Sequence, residues 1–210
     1  MRKTLLITTG LAWLALTGAA GAVTVTLTPG PKDPQYFAIE TPHQNGFTIG
    51  GTTWTDLSGV AETEQGSLQG QYAAPLGMGN TTYMAVFGGG TEEATFATPQ
   101  TSISIYWGSI DPGNGFAVTI DGYTLTGADL VALGATDNGS HSQPTSNELV
   151  TISGLGAFTK ADFSSTKNSF EFSIGPGVPE ASTWAMMTLG FVGLGYAAFR
   201  RNTKGRALAI

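Results

Sequence analysis

A chain of 210 residues has room for one ordinary domain plus terminal signals, and little for two separate cores. Charged residues make up 11% and glycine numbers 30, so polarity rests on Thr, Ser, Asn and Gln, a composition that favours strands and turns over helices. Cysteine is absent, which excludes disulfides, thiolate metal sites and thiol nucleophiles together.

The formal charge of −6 hides an uneven distribution, because Arg2, Lys3, Arg200, Arg201, Lys204 and Arg206 all sit at the two ends. Between Val23 and Val178 only Lys32, Lys160 and Lys167 face 14 carboxylates, a formal charge of −11. A body this acidic repels phosphate backbones, so no nucleic-acid partner is expected.

Residues 1–22 read as a secretory signal peptide. Arg2 and Lys3 give a positive start, Leu5 to Leu16 a mainly apolar run, and Ala20-Gly21-Ala22 an A-x-A site whose cleavage leaves Val23 as the new N-terminus.

Residues 23–174 read as one extracytoplasmic all-β domain. Val23, Val25 and Leu27 alternate with Thr24, Thr26 and Thr28. Residues 56–80, with Gly66, Gly70, Gly77 and Gly79, carry no firm strand register. Ile103, Ile105 and Trp107 then alternate with Ser102, Ser104 and Tyr106, and Phe116, Val118 and Ile120 lead into a turn at Asp121-Gly122. Gly127 to Leu133 is the one helical stretch, with Thr126 as its cap and Asp129 in its first turn. Val150 with Ile152, and Phe170 and Phe172 with Ile174, supply the last strands. One-sided strands separated by Gly, Pro, Asn and Asp clusters point to an antiparallel sandwich or jelly roll. Pro29 to Pro34 and Ala135 to Asn147 read as mobile loops, the second lacking any large apolar residue.

Residues 175–182 form a Pro/Gly linker, which proline bars from helix and from an internal strand. Thr183 to Phe199 contains no charge and is followed directly by Arg200 and Arg201. At about 1.5 Å per residue this stretch is near the short limit for a transmembrane helix. Trp184 and Tyr196 lie near its two edges, and the basic residues of 200–210 place that tail in the cytoplasm and the body outside.

The run Val178-Pro179-Glu180-Ala181-Ser182-Thr183-Trp184-Ala185-Met186-Met187, the Gly-rich apolar stretch and Arg200-Arg201 together resemble the PEP-CTERM sorting signal of Gram-negative bacteria. The resemblance implies a precursor held in the inner membrane and recognised by an exosortase. It further implies cleavage close to Pro179-Glu180 and transfer of the body to the cell surface, outer membrane or extracellular matrix. The tail after Arg201 is longer than the few basic residues usual in such signals. Trp107-Gly108-Ser109-Ile110-Asp111, Thr126-Gly127-Ala128-Asp129-Leu130 and Phe170-Glu171-Phe172 resemble, in that order, the body of one family of exosortase-dependent surface proteins. That likeness implies fold and location, and no activity.

Candidates for chemistry are few. His43 and His141 belong to no zinc motif and read as exposed loop residues, so neither a metal ligand set nor a cofactor is expected. Glu62 with Glu64, and Glu92 with Glu93, are pairs of the kind glycoside hydrolysis needs, but read as solvated surface. Asp111 to Gly115 and Asp137 to Ser140 offer oxygens of the kind calcium takes, without the spacing of a calcium loop, and read as ordinary turns. Trp54 and Tyr106 are the candidates for stacking on sugars, since alternation turns Trp107 to the core and Tyr106 outward. The leading expectation is a non-enzymatic surface protein. The alternatives are a module that binds extracellular polysaccharide and a hydrolase, the latter requiring carboxylates that converge in a cleft.

Overall fold

The computed structural model describes residues 22–30 and 43–174. Ala20, the linker with Val178, Pro179 and Glu180, the apolar stretch with Trp184, and Arg200 and Arg201 lie outside the described residues. Among the described residues no helix is long and apolar enough to cross a membrane.

Period-two alternation of apolar with Thr- and Ser-rich positions produces strands through the whole described body. In chain order these are β1 (Thr24–Pro29), β2 (Thr48–Ile49), β3 (Thr52–Ser58), β4 (Ala61–Glu64), β5 (Tyr83–Val86) and β6 (Thr91–Gln100). There follow β7 (Ile103–Trp107), β8 (Ala117–Ile120), β9 (Tyr123–Thr126), the short helix α1 (Gly127–Ala132), β10 (Glu148–Ser153), β11 (Phe158–Ser164) and β12 (Phe170–Ile174). They form two 6-stranded antiparallel sheets, ordered β1-β10-β7-β12-β5-β4 and β2-β3-β6-β11-β8-β9. From β5 onward the chain crosses between sheets at every connection but one, the β8–β9 hairpin. That hairpin pairs Ile120 with Tyr123 across Asp121 (φ 48°) and Gly122 (φ 80°), and two successive positive φ values match the right-handed twist of the flanking strands.

Each sheet turns one face to a shared apolar core. Ile103, Ile105 and Trp107 face inward from β7, with Val150 and Ile152 beside them on β10 and Phe170 and Phe172 on β12. Across the gap stand Trp54, Ala94, Val118, Ile120 and Phe163. Aromatic rings span the layers. Phe163 stacks on Phe172 at 4.3 Å, Phe116 on Phe170 at 5.2 Å, and Trp54 contacts both Phe163 and Phe172. Such pairs add about 0.5–1.5 kcal/mol each beyond the area they bury. Helix α1 closes one end with Leu130 in the core, and Thr126 and Asp129 cap it reciprocally.

The first sheet is covered on its outer face too. Residues 65–82, between β4 and β5, fold back over it, setting Tyr72, Ala74 and Met78 against Tyr83, Ala85, Tyr106 and Leu149. The Tyr106 hydroxyl donates to Leu76 O at 2.8 Å and the Tyr83 hydroxyl to Gly66 O at 2.5 Å. Of the 56–80 stretch without firm register, the first part completes β3 and forms β4, paired in register with β6 and β5. The remainder is a cover built from turns, held by the phenols beneath it.

Among the described residues four acids, Glu64, Glu92, Glu148 and Glu171, sit inside this structure instead of on its surface. Burial lifts the Glu92 carboxyl from 4.5 to about 9, assisted by Asp56, its partner across β3 and β6, which bonds to its neutral form and repels its charged form. Glu148, opposite Trp107 on the core face, and Glu171 on β12 are both pushed to about 7 by burial. A buried acid of this kind adds no penalty below 4.5, where it is protonated folded or unfolded, and destabilises once it must ionise. Stability therefore falls as pH climbs from 4.5 through about 7 for Glu148 and Glu171, and on to about 9 for Glu92. Melting curves followed by circular dichroism are expected to give a higher midpoint at about pH 5 than at about pH 8.5, and Glu92→Gln to flatten the difference. A midpoint that rises with pH in the wild-type chain contradicts this assignment.

Candidate functional site

Where the cover, three turns and β12 meet, they leave an open cleft of about 660 Å³. Its walls come from Ser67 to Ala73 in the cover, from Ser109, Asp111 and Asn114 after β7, and from Asn138, Gly139 and His141 after α1. Asn168, Ser169 and Glu171 complete it from the β11–β12 connection.

Glu171 is the polar centre of the cleft floor. Alternation along Phe170-Glu171-Phe172 drives both rings into the core and turns the carboxyl outward, where the cover closes over it. Its Oε1 accepts from Ala73 N at 2.9 Å and from the Ser169 hydroxyl, and its Oε2 from the Ser109 hydroxyl at 3.3 Å. These donors favour the charged form, yet burial outweighs them and holds the group near 7. The Glu171 carbonyl also accepts from Gly108 N at 2.9 Å. Gly108 has to be glycine, because a Cβ there would lie 2.7 Å from Pro75 Cγ.

Asn147 organises the walls. It is fully buried, and its Oδ1 accepts from Leu76 N at 3.0 Å and Ser109 N at 3.2 Å. Its Nδ2 donates to Ser140 O at 2.8 Å and Gln143 O at 3.0 Å. One side chain thus ties the cover, the turn after β7 and the loop before β10. That loop, expected to be mobile, carries further ties: Thr136 N to Thr145 O at 2.8 Å, Gly139 N to Ile110 O at 3.1 Å and Ile110 N to Ser146 O at 2.7 Å. Polar bonds hold it where apolar residues are lacking.

The three motifs of the body converge here. Ser109 and Gly108 bond to Glu171, Trp107 pairs with Phe172, and Gly127 packs so closely on Asp111 that a Cβ would lie 3.2 Å from its carbonyl oxygen. Both turns considered for calcium also border the cleft, but use their oxygens locally. Asp111 Oδ1 accepts from Gly113 N at 2.7 Å and Asn138 Oδ1 from Ser140 N at 3.1 Å.

The expected sugar platform is not formed by the residues proposed for it. Trp54 is buried between the sheets, and Tyr106 faces outward as alternation requires but is roofed by the cover, leaving 3% of it exposed. Tyr72 is the aromatic residue that lines the cleft. Glu64 and Glu92, read from sequence as solvated, are both buried, while His43 and His141 are exposed. His43 is not isolated, however, since it lies beside Glu62 and Glu64. Ala22 and Val23 lie exposed just ahead of β1.

The parts played by Glu171 and Asn147 were not legible beforehand. An acid between two phenylalanines signals a one-sided strand, but its burial depends on a cover with no periodic pattern, and nothing local distinguishes Asn147 from any loop asparagine. No protein-family model, no curated protein and no solved structure matches the chain.

Removing Asn147 leaves the Leu76 and Ser109 amides without their acceptor. Asn147→Ala is expected to destabilise the domain by about 2–4 kcal/mol. The measurement is denaturant unfolding, and Asn138→Ala on the exposed rim is expected to cost less than about 1 kcal/mol. Equal effects at both positions overturn the central role given to Asn147.

Proposed function

We propose that the chain is the precursor of an exported cell-surface or extracellular-matrix protein without catalytic activity of its own. In this reading residues 1–22 are a signal peptide cleaved between Ala22 and Val23, with Ala20 and Ala22 as the small residues of the site. Val178, Pro179, Glu180 and Trp184 belong to a sorting signal read by an exosortase-type membrane enzyme. Residues 183–199 form a transmembrane helix stopped by Arg200 and Arg201.

The observation that supports this reading is that every strand pairing among the described residues lies between Thr24 and Ile174. β1 starts at Thr24, and β12, inserted between β7 and β5, ends at Ile174 directly before the Gly175-Pro176-Gly177-Val178-Pro179 linker. A chain trimmed near Val23 and near Pro179 keeps every strand pairing described above. The finer fold reading has support in strand order, because β5-β12-β7-β10 facing β6-β11-β8-β9 follows the pattern of an eight-stranded jelly roll. A non-catalytic role is favoured by the occupied carboxylates of the cleft, since Glu171 is held by three donors and Asp111 Oδ1 by its own turn.

A second reading, binding of extracellular polysaccharide, is favoured by the cleft lining. Gln69, Gln71, Asn114, Asn138 and Asn168 offer amides to hydroxyl groups, with Tyr72 as a ring to stack on.

Mass spectrometry of the protein recovered from its native host tests the first reading. New termini at Val23 and close to Pro179-Glu180 are expected, and intact termini overturn it. For the second, a pull-down on host polysaccharide is expected to retain the wild-type chain and to lose it when Gln71 and Asn114 are both replaced by Ala. Retention of that double variant removes the cleft as the binding site.

A further inference from the structure

His43, Glu62 and Glu64 form a separate polar cluster at the edge strand β4, and none of the three lines the cleft. Glu62 and Glu64 are two apart on one strand, so both side chains leave the same face. His43 comes from the segment before β2, and the backbone there is fastened to β4. His43 N donates to Thr63 O at 2.5 Å, Thr63 N to Gln44 O at 2.9 Å, and Gln44 N to Thr63 Oγ1 at 2.9 Å. These ties fix where the imidazole stands. Its Nδ1 lies 3.4 Å from Glu64 Oε2 and 4.0 Å from Glu62 Oε2, and one ligand atom from each residue lies within 4.8 Å of the others.

The independent sign of a ligand is Glu64. The residue is 1% exposed and its carboxyl is hydrogen-bonded by Tyr72 and shares its site with Glu62, while its Oε2, the atom turned to His43 at 3.4 Å, is buried and meets no other donor. A buried carboxylate oxygen facing a second carboxylate is unfavourable unless a proton or a positive charge meets it, and an imidazole nitrogen 3.4 Å away leaves room for a cation between them. Two ligand atoms at about 2.0–2.2 Å from one tetrahedral ion stand about 3.3–3.6 Å apart. The Glu64 spacing falls in that range, and the Glu62 spacing comes into it with a small rotation of a side chain that is 30% exposed.

We propose that His43 Nδ1, Glu62 and Glu64 bind one divalent transition-metal ion of the zinc type, with the remaining position taken by water. The imidazole nitrogen decides the class, since calcium and magnesium take oxygen sets. Coordination staples the 43–44 segment to the edge of the first sheet, in a chain that has no cysteine to do so. The inference rests on the folded body alone and stands whether or not the export reading holds.

The test uses the full chain, made without a histidine tag, purified in detergent and stripped with a chelator. Zinc chloride is titrated against a chromogenic chelator, and thermal unfolding is followed with and without the metal. One equivalent of bound zinc and a raised unfolding midpoint are expected. His43→Ala and Glu64→Gln are each expected to weaken binding by about tenfold or more and to abolish the rise in midpoint, while His141→Ala leaves both unchanged. Because the His43 side chain is 64% exposed, His43→Ala folds regardless of the metal. Absence of zinc binding, binding that survives His43→Ala, or equal stabilisation by calcium chloride overturns the proposal.

Discussion

Asn147 joins segments that no strand pairing among the described residues joins. Its four hydrogen bonds reach the cover over the first sheet, the turn after β7 and the loop before β10, none of which shares a ladder with the others. An amide sealed from water without partners costs roughly 2–7 kcal/mol, so a buried asparagine fixes geometry only when every partner is in place. Here all four are main-chain groups, which makes the arrangement insensitive to the side chains of the segments it joins. Glu171 works in parallel one strand layer below, gathering Ala73, Ser109 and Ser169 around one carboxyl. The cleft is the space these two pins leave between segments they hold at fixed separation.

The need for a cover follows from the outer face of the first sheet. Tyr83, Ala85, Tyr106 and Leu149 stand there as apolar surface, interrupted along β12 by Glu171 and Ser173. Left open, it would be an exposed hydrophobic surface of the kind that drives association. Residues 65–82 meet it with turns, whose main-chain carbonyls at Gly66 and Leu76 receive the two hydroxyls. A further strand could not offer those carbonyls, because its own ladder would use them. The price of this solution is burial of a carboxyl, and Glu171 carries it with three donors.

Legibility from sequence followed the range of the interactions involved. β1, β7, β8, β10, β12 and α1 were readable because period-two alternation and a Thr126–Asp129 cap are local signals. The turn at Asp121-Gly122 was readable for the same reason. Trp54 is no sugar platform because its position on β3, between the exposed Thr53 and Thr55, turns it toward the core. Tyr106 was oriented correctly, and only the cover contradicts its exposure. Glu92 and Glu64 share that cause: an acid on a strand reads as solvated until the opposite layer is known. His43 meets Glu62 and Glu64 through a segment whose path no periodicity encodes.

These buried acids also change what the charge of the body means. With Glu92 near 9 and Glu148 and Glu171 near 7, about two of the formal negative charges are absent at pH 7. The self-repulsion of the domain is smaller than composition implies, and the carboxylates that stay ionised lie mostly on the surface. An acidic exterior of this kind disfavours anionic ligands everywhere, and it disfavours them least where neutral amides outnumber acids. That condition holds at the cleft, whose lining amides surround a carboxyl already engaged by its own donors. It fails at β4, where two carboxylates and one imidazole converge with no lysine or arginine ion pair among the described residues. Electrostatics therefore separates the two places: the edge strand is the more favourable surroundings for positive charge, and the cleft lining is closer to neutral.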